Sequence, residues 1–128
     1  MHKRAEVAAY MAAKKRGVTV GLIRYITSRY FGRWHIMREL AGNPCTPEDV
    51  LTQCATYPIS SVRVALANNR KAPSELRQQL SLDDAWLVRW ALTQNPSTEY
   101  SILRMLAEDK DDRVSKSARH KLTKHWIS

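Results

Sequence analysis

Trp86 and Trp90 stand four residues apart with Arg89 beside them, and Arg63 precedes Arg89 by 26 positions. Residues four apart share one side of a helix, so this group can present two aromatic rings and a guanidinium together. Such side chains are the usual hot spots of protein interfaces, and they also stack nucleobases or approach phosphates. Arg38 and Lys116 share a column with Val64 and Trp90 at the same 26-residue step, which adds bases at both ends of one face. A second group is cationic: Lys14, Lys15, Arg16, Arg24, Arg29 and Arg33. Residues 1–39 hold nine Lys and Arg against two acids, a net of +7, whereas the rest of the chain carries twelve against ten, only +2. The whole chain has a net charge of +9 and a pI near 9.9. Such a surplus favours polyanions, acidic protein faces or anionic surfaces. The plainer alternatives are a solvated basic surface that aids solubility, one tryptophan in the core, and Arg63 and Arg89 as structural partners of aspartates.

Catalytic constellations are weak. His2, His35, His120 and His125 show no HExxH spacing, and His120 and His125, five apart, splay on a helix. Neither Cys45 nor Cys54 belongs to a CxxC pair; Cys54 reads as a small core residue. Asp83 and Asp84, with Asp109, Asp111 and Asp112, fall at turns, where they cap helices and pair with the arginine that follows. There is no glycine-rich phosphate loop and no GxSxG. The expectation is a chain with no catalytic residues, metal or cofactor, and not an enzyme. Its apolar runs are too short for a transmembrane helix, and Lys14, Lys15 and Arg16 interrupt any signal-peptide core. Cysteine usage points to a reduced, cytoplasmic setting.

The elements that carry these residues follow from an internal repeat. Asn43, Asn69 and Asn95 are 26 apart, as are Leu40, Leu66 and Leu92, then Val50, Leu76 and Ile102, then Val62, Val88 and Val114, then Cys54, Leu80 and Leu106. A fixed period without insertions marks stacked helical units. In the first unit Thr46 is expected as N-cap with Pro47 at the first helical position. Val50, Leu51, Cys54 and Ala55 then form an apolar stripe, and Tyr57-Pro58 ends the helix. Ser60 or Ser61 caps a second helix through Val62 and Leu66, which stops at Asn68-Asn69, a pair tolerant of left-handed geometry. Equivalent helices are expected over 73–81, 85–93, 98–108 and 111–122, with 33–41 as the second helix of an incomplete leading unit. Upstream, 3–16 and 19–31 read as helices closed by Gly17 and Gly32, the latter with Leu22, Ile26 and Tyr30 on one face. Val114, Ala118, Leu122 and Trp126 continue one face at the other end.

The turn Asn43-Pro44-Cys45-Thr46-Pro47, its counterpart Asn95-Pro96-Ser97-Thr98, and the pairs Val62-Arg63 and Val88-Arg89 carry a family resemblance. Residues 34–118 resemble the leucine-rich repeat variant, close in style to HEAT-like repeats. The second unit departs with Asn69-Arg70-Lys71-Ala72-Pro73, and the next Val-Arg position holds Ser115. The resemblance implies an all-α fold: a short right-handed α-solenoid of helix pairs, its second helices lining a concave face. Residues 1–128 then form one domain, with basic capping helices over 1–32, about three and a half repeats over 33–118, and a C-terminal cap over 119–128. Some relatives of this kind carry an iron–sulphur module, for which Cys45 and Cys54 are too few.

Solenoids offer extended surfaces rather than deep pockets. The leading expectation is a non-catalytic binding module whose concave face and basic N-terminal cap meet an acidic protein. The alternative is a DNA- or RNA-binding protein. A third reading, an enzyme resembling the HEAT-like alkylpurine DNA glycosylases, needs more repeats to wrap a duplex. Oligomeric state is not legible.

Overall fold

The computed structural model describes residues 2–127, with side chains over 3–124. The described residues are all-helical: α1 (His2–Lys14), α2 (Val20–Tyr30), α3 (Trp34–Gly42), α4 (Glu48–Ala55), α5 (Ser60–Ala67), α6 (Ser74–Leu80), α7 (Trp86–Gln94), α8 (Tyr100–Leu106) and α9 (Asp112–Ile127). The expected reach of the last apolar face to Trp126, and the side chains of His2 and His125, lie outside the described residues.

The odd-numbered helices pack in series, α1 on α3, α3 on α5, α5 on α7 and α7 on α9. Each even-numbered helix packs between its two odd neighbours in the chain. The core between them holds Ile23, Ile26, Ile36, Met37, Leu40, Leu51, Leu66, Leu80, Leu92 and Leu106, all fully buried. Each such side chain contributes about 1.5–3 kcal/mol on leaving water. The columns read from the sequence lie inside: Val50, Leu76 and Ile102, then Val62, Val88 and Val114, are all buried. In α2 the buried residues are Ile23, Ile26 and Thr27, so Leu22 points outward, contrary to the expected Leu22–Ile26–Tyr30 face.

Several local roles differ from expectation. Pro47, not Thr46, occupies the N-cap of α4, and Thr46 instead donates its hydroxyl to the Leu40 carbonyl at 2.6 Å. Ile59 holds the N-cap of α5 without a side-chain bond, so neither Ser60 nor Ser61 caps it. Among the described residues only Gly17 has a positive φ (84°), and it follows the end of α1 where a left-handed residue turns the chain.

Asn69 does not adopt the left-handed geometry expected of it. Its amide donates to the carbonyls of Ala41 (2.8 Å) and Asn43 (3.2 Å), while its oxygen accepts from the Lys71 N–H (2.9 Å). Asn95 makes the same three contacts with Ala67, Asn69 and Ser97. Asn43 does so with Ala13, Lys15 and Cys45. Each asparagine thus satisfies carbonyls at the end of the preceding odd helix, which have no intrahelical donor. Through Asn43, α1 is held as α3 and α5 are held.

Candidate binding site

Arg63 and Arg89 are tied into the interior of the turns. Arg63 donates to both oxygens of Asp83 (2.8 and 3.2 Å) and to the Tyr57 and Pro58 carbonyls. Arg89, only 5% exposed, does the same with Asp109 and with the Asp83 and Asp84 carbonyls. Asp83 and Asp109 therefore pair with the arginine twenty residues before them rather than the one that follows, whereas Asp111 does pair with the following Arg113. Asp83 and Asp109 also accept the N–H two residues on, which shapes the start of the next helix. The Asp109 hydrogen bond holds the Arg89 guanidinium above its ordinary pKa. Burial pushes the Asp109 carboxyl up, but the Arg89 and Asp111 donors outweigh it and hold the pKa below the usual carboxylate range. Detaching either arginine would strand a buried carboxylate, so neither is available to a partner.

The tryptophans stay half-buried. Trp86 is covered by the Arg113 guanidinium, 3.4 Å from its ring centroid, and Trp90 packs against the core. Lys116 is exposed on α9. Arg38, Trp90 and Lys116 lie on α3, α7 and α9, with α5 between the first two and α7 packed on α9.

The basic group divides. Arg24 pairs with Asp49, Arg33 lies 3.6 Å from Glu6, and Arg29 lies over the Tyr30 ring. Lys14 is 5.1 Å from the Tyr10 ring centroid, a cation–π distance. Lys15 and Arg16 are exposed, with no ion pair among the described residues.

Two open clefts meet at Arg38. One, of about 510 Å³, runs between α1 and α3 and is lined by Lys3, Glu6, Val7, Tyr10, His35 and Arg38. The other, of about 400 Å³, lies at the C-terminal ends of α1, α3 and α5, where Lys14, Arg16, Arg38, Glu39, Gly42 and Asn68 border it. Helical packing brings their rings and charges together. Tyr10 and Trp34 each lie about 6 Å from His35, and the Arg38 guanidinium is 5.3 Å from the Trp34 ring. Both acids are already engaged. Glu6 contacts His35 Nε2 at 3.2 Å, and Glu39 accepts from Arg38 at 3.2 Å and from the Tyr10 hydroxyl at 3.4 Å. Lys3 and Arg16 have no acidic partner among the described residues, which leaves a net positive groove with an apolar, aromatic floor.

Of the residues singled out from sequence, Arg38, Lys14 and Arg16 border these clefts. Lys3, Glu6, Tyr10, Trp34, His35 and Glu39 were missed. The surplus charge of residues 1–39 pointed to the region, but only the packing of α1 on α3 assembles it. No group of three or more His, Cys, Asp and Glu side chains among the described residues is arranged to hold a metal ion. No helix among them is long and apolar enough to cross a membrane. No family model matches the sequence, and no curated protein and no solved structure matches it.

Proposed function

We propose that this chain is a non-catalytic binding module that holds an acidic protein segment in the paired clefts along α1 and α3. The single observation that carries this is the meeting of both clefts at Arg38, with Lys3, Lys14 and Arg16 around them and both local acids already engaged. A carboxylate entering the groove meets Lys3, Lys14 and Arg16, which have no acidic partner among the described residues, beside the Arg38–Glu39 pair, and the Tyr10 and His35 rings in the cleft wall offer apolar contact. Such charges steer encounter as well as strengthen the complex.

In the same proposal the chain is a short right-handed α-solenoid with a 26-residue unit, one domain over 1–128, akin to leucine-rich repeat variant and HEAT-like proteins and working in the cytoplasm. The serial packing of odd helices and the recurring bonds of Asn43, Asn69 and Asn95 support it. So does the recurrence of the Arg63–Asp83 pair at Arg89–Asp109.

Nucleic acid is the competing occupant, favoured by the ring cluster beside Arg38 and Lys14, because bases stack on such surfaces. Titrations with a fluorescent polyglutamate peptide and a single-stranded RNA, each repeated with Arg38→Gln, separate the two. The acidic-protein proposal expects saturable peptide binding weakened about fivefold or more by Arg38→Gln, as for loss of a charged interface contact. RNA binding that is tighter and equally dependent on Arg38 overturns it.

A further inference from the structure

Helix α1 also has an outer face, opposite the side it buries, and Val7 at its edge borders the α1–α3 cleft as well. Ala9 and Ala13 are buried against the body of the protein. On the opposite side Val7 and Met11, one turn apart, are 60% and 59% exposed. The 3.6-residue turn sets Lys3 and Lys14 along one flank of this apolar pair and Arg4 and Lys15 along the other. All four cations are exposed and have no ion-pair partner among the described residues.

The helix at the other end of the packing series provides an internal comparison. Like α1, α9 has a single odd-numbered neighbour, so its far side faces solvent. Opposite its buried Val114 and Ala118, α9 exposes Lys116, His120 and Thr123. A terminal helix needs a polar outer face to stay soluble. α9 has one; α1 sets valine and methionine in the middle of its own.

We propose that α1 docks an acidic amphipathic helix across Val7 and Met11. This deepens the acidic-partner reading and rests on it, by giving the partner a secondary structure and a contact face. Charge complementarity selects the occupant. A second copy of the same face would set four cations against four, which disfavours a symmetric dimer. A nucleic acid would use the cations and leave the apolar pair in water. Helices that lie in an anionic bilayer bury Trp, Phe or Leu, and the outer face of α1 has none of these. A helix with apolar residues one turn apart and carboxylates on both flanks satisfies every group on this face. It fits the amphipathic-helix mode of recognition, in which i and i+4 side chains are the anchors.

The test uses the full chain and a fluorescein-labelled helical peptide with leucines one turn apart and glutamates on both flanks. A scrambled peptide of the same composition, a single-stranded RNA and phosphatidylserine vesicles serve as comparison probes. The expected result is binding about tenfold or more tighter to the amphipathic peptide than to the scrambled one, lost in Val7→Gln/Met11→Gln. Unchanged circular dichroism and Tm in that variant show that the loss is not unfolding. Equal affinity for the two peptides overturns the proposal, because charge alone then explains binding. RNA or vesicle binding that depends on Val7 and Met11 overturns it too. If Arg38→Gln abolishes peptide binding while Met11→Gln, at a position outside both cleft linings, binds like the wild type, the α1 face fails and the cleft stands. Peptide binding insensitive to all three positions defeats both.

Discussion

Asn69→Ala tests how the odd helices are joined. The side chain is 3% exposed and makes three hydrogen bonds, two donated to the Ala41 and Asn43 carbonyls and one accepted from Lys71. Truncation leaves two carbonyls and an N–H without this partner where water has poor access. At about 1 kcal/mol net per bond, plus incomplete resolvation, the loss is about 2–4 kcal/mol. At this chain length that lowers Tm by about 10 °C. Asn69→Asp sharpens the test. It keeps the acceptor for Lys71 but turns an oxygen toward the two carbonyls, so at neutral pH it should be worse than alanine. The new carboxyl can donate only when protonated, so folding raises its pKa above the unfolded value. The stability it confers is present at low pH and lost as pH rises through that raised pKa. The gap between the two variants, followed by thermal melts from pH 7 to pH 4, should therefore narrow on acidification. A fall below about 0.5 kcal/mol for Asn69→Ala would show that this bridge does not hold the helices.

The fold should also lose stability in acid. Asp109, Glu99 and Asp111 have lowered pKa values, Asp111 to about 2, so the native state binds fewer protons than the unfolded chain as pH drops below about 5. Urea midpoints should fall from pH 5 to pH 2, and a flat profile would contradict this. Burial pushes the Cys54 thiol up to about 12, so a thiol reagent at pH 8 should modify the half-buried Cys45 and reach Cys54 only on denaturation. Equal labelling rates in the native state would be the contrary outcome. Leu80→Ala should cost about 2–5 kcal/mol in chemical denaturation, whereas Leu82→Ser, at a 75% exposed site, should cost almost nothing. Comparable losses would refute the burial pattern.

The apolar columns were legible because hydrophobic burial acts on residue type at fixed spacing, as Leu66 and Leu92 illustrate. Partners were less legible. Asn69 looked like a conformational punctuation mark, yet its role is to bond carbonyls of a helix some 28 residues earlier. Asp83 looked like the partner of a following arginine, but the helix packing brings Arg63 to it from the preceding unit. The buried Arg77 was not foreseen at all. It stands where Leu51 stands one unit earlier and is matched by Glu99, which replaces the proline found at Pro47 and Pro73. A compensating pair of this kind shows as two unrelated departures from a pattern. The clefts escaped notice for a related reason. Tyr10 and His35 are 25 residues apart on helices whose phase differs from the repeat, since Asn43 reaches back 30 positions to Ala13 where Asn69 reaches 28 to Ala41.

Chemical-shift mapping by NMR shows whether α1 and α3 form the acidic-partner site. Titrating labelled protein with the polyglutamate peptide should shift the signals of Lys3, Tyr10, Lys14, His35 and Arg38 in a saturable manner. Those of Trp90 and Lys116 should stay in place. Shifts centred on α7 and α9, or small unsaturable shifts spread over all surface lysines and arginines, would contradict that site.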